Sequence, residues 1–403
     1  MGYRDDAAAI QGDLADLRWS LHQEPEVGLD LPLTQAKVLD ALAGLPLEVA
    51  TGRSLSSVTA VLRGGRPGRA VLLRGDMDAL QVTERTALPR ASLIDGVMHA
   101  CGHDQHMAIL VGAARLLAAR REALAGDVIF MFQPGEEGCD GAGAMIAEGV
   151  LDAAGVPVVA AYALHVMSGG STVGTFTSRA GTLQASSNTL AVTVRGMGGH
   201  GSAPHLAQDP IPAACEMVLS LQTMVSRRFD IFDPIVITVG TFHAGTRDNV
   251  IPEEATFSAT VRTFSARALD LVEAESVRLV RSIAEAHGLE VDAEFSRVYP
   301  PTVNDPDETE FVRETVTEVF GADRYRTAKY PIAGAEDFSR ILERVPGCFV
   351  HLGAVPEGRD PETAAYNHSP LAVFDDGALA DGAALLAELA ERRLAAAASS
   401  AAS

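Results

Sequence analysis

One short segment of the sequence concentrates side chains that bind metal ions. Residues 98–106 read MHACGHDQH and place Cys101 two residues before His103 in a glycine-containing turn. A thiolate and an imidazole are the ligands that a borderline ion such as Zn²⁺ prefers. A structural cluster of one cysteine and several histidines is an equally good interpretation of this segment taken alone. The segment therefore indicates a metal site without deciding whether that site is catalytic.

Further candidate ligands occur elsewhere in the chain. Glu136 and Glu137 are adjacent in QPGEE, and His165 and His368 each stand in a turn context. Consecutive side chains point in different directions, so one glutamate can bind a metal while its neighbour takes a proton from a metal-activated water. Five candidate ligands with a spare glutamate fit a hydrolytic site better than a closed structural site of four ligands.

Apolar runs precede three polar clusters, namely GDMD at residues 75–78, QPGEE at residues 133–137 and His165. Residues 70–74, 128–132 and 157–164 are bounded by glycine, proline or charged residues and predict buried strands, the third ending at His165. Helical stretches lie between them, and this alternation predicts an α/β layer with a mostly parallel sheet. Ligands of such sheets bind beyond the carboxyl ends of the strands. The clusters that follow the strands therefore point to one site.

The middle of the chain has a different order of elements. The pattern predicts, in order, a strand over 188–195, a helix over 209–226, strands over 235–240 and 255–264, a helix over 266–287 and a strand over 289–296. This βαββαβ order is that of a small ferredoxin-like domain. The predicted fold is thus an α/β catalytic domain over residues 1–184 and 298–403, with helices flanking its sheet, interrupted by the ferredoxin-like domain over residues 185–297.

Composition excludes several classes of protein. A chain of 403 residues is long enough for about two domains. The net charge of −21 argues against nucleic acid or an anionic membrane as a partner. The four cysteines form no CxxC pair, and we find neither a signal peptide nor an apolar run of about 18 residues. These features predict a cytoplasmic protein.

Eight short motifs occur in order between residues 74 and 370. They are RGDMDAL, GVMHACGHDQH, FQPGEEG, LHV, GMGGHGSAPH, DNVIPEEATFSATVRTF, AGAEDFS and NHSP. Together they resemble the dinuclear-metal aminoacylase and carboxypeptidase family, and within it the N-acyl-amino-acid amidohydrolases such as hippurate hydrolase and indole-3-acetyl-amino-acid hydrolase. His22, His99 and His106 flank these motifs, and we predict structural or supporting roles for them.

The resemblance implies two divalent metal ions per chain, Zn²⁺ or Mn²⁺, with Co²⁺ or Ni²⁺ as alternatives. The implied ligands are Cys101, His103, Glu137, His165 and His368. Cys101 would bridge the two ions, Glu136 would be the general base, and Asp78 would orient a ligand. The inserted domain would be a lid and dimerisation domain, which predicts a homodimer or a higher homo-oligomer.

The resemblance also implies residues that contact the substrate. His200, Asn249 and Arg262 match positions that polarise the scissile carbonyl and hold the substrate carboxylate, and Gly334 matches a backbone contact. The implied substrate is a small N-acyl-L-amino acid, whose amide bond is cleaved by a metal-activated water.

Three alternatives remain open from the sequence. A dipeptidase or carboxypeptidase would use the same machinery on a different acyl half. A non-enzymatic binding protein would use Cys101, His103, His165 and His368 for one structural zinc ion. Residues 196–201 match the G-x-G-x-x-G fingerprint of dinucleotide-binding enzymes. The prolines that follow delay the next helix, whereas the fingerprint needs a helix that opens inside the motif, so this alternative is disfavoured.

Overall fold

The computed structural model describes residues 2–402, which divide into two compact units. The first comprises residues 2–183, Val303–Lys329 and 337–402, and the second comprises Gln184–Thr302 and Tyr330–Glu336. The prediction placed residues 184, 298–302 and 330–336 in the catalytic domain. The structure assigns them to the second unit, where the backbone N–H of Ala185 donates to the carbonyl oxygens of Ile332 and Gly334.

Ten α-helices and sixteen strands lie within residues 2–402. Up to residue 184 these are α1 (Tyr3–Ala9), α2 (Gln11–Gln23), α3 (Pro32–Leu42), β1 (Leu47–Thr51), β2 (Val58–Leu62), β3 (Arg69–Asp76), α4 (His103–Ala119), β4 (Gly126–Gln133), α5 (Gly141–Ala147), β5 (Val158–Thr172), β6 (Phe176–Ser178) and β7 (Gly181–Gln184). Next come β8 (Ser187–Arg195), β9 (Gly199–His200), α6 (Pro210–Arg228), β10 (Ile235–Ala244), β11 (Val250–Ile251), β12 (Glu254–Thr263), α7 (Ala266–Ala286) and β13 (Glu290–Tyr299). The last are β14 (Thr302–Asn304), α8 (Pro306–Phe320), β15 (Tyr325–Thr327), α9 (Ser339–Leu342), β16 (Gly347–Val355) and α10 (Gly377–Ala402). None of the helices in this range is long and apolar enough to cross a membrane.

The first unit is built on an eight-stranded sheet in the order β1-β2-β4-β3-β5-β16-β6-β15. Its central strands β4, β3, β5 and β16 are parallel neighbours. Successive residues of β3 pack on opposite faces, Leu73 in the core beside α4 and α10 and Leu72 in the core beside α5. Burial on both faces explains the unbroken apolar runs of these strands. The predicted fold class is confirmed.

The second unit is an antiparallel sheet in the order β13-β8-β12-β10, with α6 and α7 packed against it. This is the arrangement of a ferredoxin-like βαββαβ domain. Residues 196–201 include the short strand β9, and α6 begins only at Pro210. Because no helix opens inside the glycine motif, it lacks the helix N-terminus that a pyrophosphate requires.

One strand is longer than the sequence pattern indicated. The prediction ended the third apolar strand at His165, but β5 continues to Thr172. The reason is its pairing with β16, in which Leu164, His165, Val166 and Met167 lie opposite Val350–Gly353. His165 is therefore held inside a ladder of backbone hydrogen bonds and not in a turn.

Candidate metal centre

The paired glutamates lie in a turn that Asp78 holds in place. Strands β3 and β4 are parallel neighbours, so the segments that follow them meet at one edge of the sheet. The Asp78 carboxylate accepts hydrogen bonds from the backbone N–H groups of Glu136 and Glu137, both at 3.0 Å. Gly135 and Gly138 permit the turn with φ values of 74° and 88°. Asp78 thereby fixes the backbone from which both glutamate side chains project.

The turn between Cys101 and His103 requires glycine. Gly102 has a φ of 88°, and a Cβ atom there would lie 2.4 Å from the Cγ2 atom of Val166 and 3.0 Å from the Phe374 ring. A side chain at this position would meet both strain and collision. Gly102 thus lets α4 begin at His103, directly after Cys101, with the positive end of the helix dipole beside the thiol.

Cys101 lies among the other four predicted ligands. Its Sγ atom is 3.3 Å from Nε2 of His165 and 3.2 Å from Nε2 of His368. Nε2 of His368 is also 3.1 Å from Oε1 of Glu137. Ligand atoms of Cys101, His103 and His165 lie within 4.8 Å of one another, as do those of Cys101, Glu137 and His368. The structure therefore brings the five side chains together in two groups that share Cys101.

The buried ring nitrogens of His103 are available to a metal ion. Neither nitrogen makes a hydrogen bond within residues 2–402. Nδ1 is 3.4 Å from Asp78 and Nε2 is 3.5 Å from Asp76, without hydrogen-bond geometry. Buried polar atoms are almost always satisfied, so this imidazole calls for a ligand. Sulfur, nitrogen and oxygen donors in one cluster suit a divalent ion of the zinc class.

Hydrogen bonds prepare His165 as a neutral ligand. Its Nδ1 donates to the carbonyl oxygen of Val166 at 2.9 Å, which leaves the lone pair of Nε2 facing Cys101. Burial and the neighbouring His106 hold the pKa of His165 well below its usual range. This bond to the backbone fixes the tautomer that a metal-binding imidazole needs.

His106 supports this arrangement from the opposite side. The backbone N–H of Val166 donates to Nε2 of His106 at 2.8 Å, so that nitrogen is unprotonated and Nδ1–H donates to Asp76. Asp76 also pairs with the buried Arg74, whose guanidinium reaches Asp337 at 3.0 Å. Sequence reasoning missed Arg74 and Asp337, although both lie in the quoted motifs RGDMDAL and AGAEDFS.

The cluster places a thiol and a carboxylate beside an imidazole. Burial and the charge of Glu137 raise the pKa of the Cys101 thiol. Hydrogen bonds to Cys101 and Glu137 raise the pKa of His368 to about 10. A proton on His368 thus balances the charge of the Glu137 carboxylate. A divalent cation at the same place would release that proton, because metal ligands bind in their deprotonated forms.

The predicted substrate contacts lie in the second unit. His200 on β9 pairs with Val250 on β11, next to Asn249, whose carbonyl accepts the N–H of Gly201 at 2.9 Å. The backbone N–H of Ser202 donates to Nδ1 of His200, which leaves Nε2 as the exposed, protonated nitrogen of the neutral ring. The structure therefore brings His200 and Asn249 together on one short ribbon.

The other two predicted contacts, Arg262 and Gly334, are hydrogen-bonded to residues 185–187. The Arg262 guanidinium donates to Oγ of Ser187 at 2.9 Å, and the carbonyl of Gly334 accepts the N–H of Ala185 at 2.9 Å. Arg262 is half-buried, and burial lowers its pKa. No carboxylate of the described chain lies within ion-pair distance of it. The sequence contained no signal for the Ser187 contact.

The family of the chain follows from comparison with known proteins. The model of peptidase family M20/M25/M40 matches residues 72–392. The chain belongs to this family. It is 36% identical to thermostable carboxypeptidase 1 of Saccharolobus solfataricus, covering 96% of this chain and 97% of that protein. It is 34% identical to the hippurate hydrolase of Campylobacter jejuni, with the same coverage of 96% and 97%.

A solved structure of the M20 family has the same fold. It is the YXEP protein of Bacillus subtilis, described as a dinuclear metal-binding peptidase, with a TM-score of 0.83 and 31% identity. The match covers 96% of this chain and 99% of that one. The resemblance stated from the motifs is confirmed, and this M20 protein is a hydrolase that acts on amide bonds.

A buried ionic network lies beside the centre of this M20 protein. Asp104, which follows His103, accepts from Arg18 Nε at 2.7 Å and His22 Nδ1 at 2.9 Å. Nε2 of His22 contacts Glu84, on the loop after β3, at 3.3 Å. Burial opposes a charge on His22, but Asp104 and Glu84 together raise its pKa to about 9. Protonated His22 therefore joins the start of α4 to this loop.

We predict that His22 stabilises the fold in a pH-dependent way. A histidine pKa that folding raises contributes fully below its unfolded value of about 6.5. That contribution is lost as the pH rises through about 9. Denaturant unfolding of His22→Gln should show a loss of up to about 3 kcal/mol at pH 6 that vanishes near pH 10. His205→Gln, at an exposed imidazole, is the control. An equal loss at both pH values would contradict the assignment.

Proposed function

We propose that this chain hydrolyses the amide bond of small N-acyl-L-amino acids with the help of two divalent metal ions. The observation that carries the proposal is the convergence of five ligand side chains in two groups that share Cys101. Glu136 adds a buried carboxylate beside them. A structural zinc site needs four ligands and no neighbouring base, so the fifth ligand and the additional carboxylate support catalysis.

The proposed ligands are Cys101, His103, Glu137, His165 and His368. Cys101 would bridge the ions, because it belongs to both groups. When bound, the ions would polarise the scissile carbonyl and lower the pKa of the attacking water. The thiolate favours Zn²⁺, whereas the imidazoles and the carboxylate also admit Mn²⁺, Co²⁺ or Ni²⁺.

Glu136 is the proposed general base. Its carboxylate lies within 4.8 Å of the ligand atoms of His103 and Glu137, and the bond from Asp78 to its backbone fixes where it projects. It would take a proton from the attacking water and return it to the leaving amine. The carboxylate of Asp78 is already engaged by two backbone N–H groups, so we propose only a positioning role for it.

The second unit is the proposed lid, and it would recognise the free carboxylate of the substrate. Arg262 is a half-buried guanidinium without an acidic partner among residues 2–402, so an anion from the substrate would satisfy it. Two parallel hydrogen bonds would select amino-acid amides over neutral ones. His200 would donate Nε2–H to the scissile carbonyl, in its own chain's site or in that of a partner, and Asn249 would assist it. Gly334 would supply a backbone contact.

A homodimer formed through the second unit is also proposed. Its sheet has two edges, β10 and β13. Edge β13 carries exposed Glu290, Asp292 and Glu294, which discourage pairing with another strand. Edge β10 is preceded by Ile231 and Phe232, which are 79% and 89% exposed. Apolar side chains beside an unpaired edge support association through β10.

The cytoplasmic location stays a prediction.

A carboxypeptidase or dipeptidase is the alternative within the same machinery. The name of the relative from Saccharolobus solfataricus favours it, whereas that of the relative from Campylobacter jejuni favours N-acyl amino acids. Both substrates present a free carboxylate next to the scissile amide. A panel of acetyl-, benzoyl-, indoleacetyl- and long-chain-acyl-amino acids, together with dipeptides, separates the two through kcat/KM.

We predict that substitution of the two adjacent glutamates affects different quantities, kcat for Glu136 and metal content for Glu137. Glu136→Gln removes only the proton acceptor, so kcat should fall by roughly 10²–10⁴-fold while bound metal, measured by elemental analysis, stays at the parental level. Glu137→Gln removes a charged ligand and should lower the metal content. The reverse pattern would exchange the two assignments. Cys139→Ser, at an exposed thiol two residues further on, controls for disturbance of the turn.

We predict that Arg262 discriminates by substrate charge. Loss of a charge-assisted bond costs about 1.5–3 kcal/mol, so Arg262→Ala should lower kcat/KM for an N-acyl amino acid roughly 10–100-fold, mainly through KM. The neutral amide of the same substrate should be affected less than about threefold. Arg195→Ala, at an exposed arginine paired with Asp292 in the same sheet, is the control. Equal losses on both substrates would contradict carboxylate binding.

A further inference from the structure

The Asn367 side chain uses its full hydrogen-bonding capacity beside the metal centre. Its Oδ1 accepts from the backbone N–H of Ser168 at 3.0 Å and from the Ser168 hydroxyl at 3.1 Å. Its Nδ2 donates to the carbonyl oxygens of Val166 at 3.0 Å and Cys101 at 3.2 Å. A backbone N–H only donates and a carbonyl only accepts, so these partners fix the orientation of the amide.

These bonds join three segments that carry proposed ligands. Asn367 precedes His368 directly, and it binds the carbonyl of Cys101 itself. The Val166 carbonyl that it binds also accepts Nδ1–H of His165. The Asn367 amide therefore binds both the Cys101 carbonyl and the Val166 carbonyl, and the latter fixes the His165 tautomer. Because Asn367 precedes His368, these bonds also hold the loop of His368. Cys101 and His165 are 64 residues apart in the chain, and Val166 and Asn367 are 201 residues apart.

The backbone at His368 has a conformation that needs such support. Its φ is 72°, in the left-handed region that residues with a side chain rarely adopt. A conformation of this kind is unfavourable and persists only where the surroundings impose it. The N–H of His368 donates to the carbonyl of Ala100 at 2.8 Å, next to the Asn367 bond with Cys101. The loop is thus fastened to the Cys101 turn at two consecutive residues.

We propose that Asn367 is a positioning residue that holds Cys101, His165 and His368 in metal-binding geometry before the ions arrive. The inference rests on the proposed function, because it assigns these three side chains as ligands. Asn367 itself would not bind metal, since its amide is engaged on both sides. Its contribution is preorganisation. Loss of a group that orients metal ligands typically lowers metal affinity about 10–100-fold.

The test measures metal affinity in Asn367→Asp and Asn367→Ala. Asn367→Asp keeps an acceptor for Ser168 but turns a carboxylate oxygen toward two carbonyls. Zn²⁺ affinity, from competition with a chromophoric chelator, should fall about 10–100-fold for at least one ion. With Co²⁺ as the probe, the visible and thiolate charge-transfer bands should change in intensity or position, because they report the ligand geometry. If Asn367→Ala is insoluble, Asn367→Ser takes its place under the same criteria.

Asn304→Asp is the matched control. Asn304 is buried, accepts the backbone N–H of Phe349 and donates to the carbonyls of Arg179 and Phe349, but it touches none of the ligand-bearing segments. It should lower the thermal midpoint and leave Zn²⁺ affinity within about twofold of the parent. Parental Zn²⁺ affinity and Co²⁺ spectrum in the Asn367 variants would overturn the inference. Failure of the proposed function would instead appear in the parent, as absence of bound metal or of amide hydrolysis.

Discussion

Charge balance around Cys101 governs the site, because a thiol, a carboxylate and an imidazole meet in one cluster. Cys101 and Glu137 both contact His368, and a proton on His368 balances the carboxylate of Glu137. The nearby guanidinium of Arg74 is committed to Asp76 and Asp337. Burying uncompensated charge is costly, so the cluster is stable when protonated or when it holds cations. We infer that divalent ions supply this charge in the working protein.

The rest of the first unit holds this charge in place through backbone contacts. Asp78 fixes the glutamate turn, and Gly102 allows the Cys101 turn to approach Val166 at the start of α4. His106 of α4 accepts the backbone N–H of Val166 in β5, next to His165. Hydrogen bonds thus hold the backbone of Cys101 and of Glu137 and the ring of His165. Such supporting contacts are what give a metal site its geometry before the metal binds.

Much of this arrangement could be predicted from the sequence, for a physical reason. Parallel strands place their carboxyl ends at one edge, so an apolar run followed by Asp78 or by Glu136 and Glu137 already indicates a shared site. Contacts between distant segments leave no local spacing. Asn367 lies in the motif NHSP, but its bond to Cys101 and the bond between Ser187 and Arg262 could therefore not be predicted. The continuation of β5 past His165 also depends on a distant partner, the strand β16.

Two divalent ions would complete the cluster around Cys101. Elemental analysis of the purified, active chain, with protein concentration determined independently, measures how many ions it holds. We expect about two divalent ions per chain and about one or fewer in Cys101→Ala. Amide hydrolysis should be lost when the ions are removed and recovered when they are returned. Full activity in a chain that holds one ion or none would show that the site does not work with two ions.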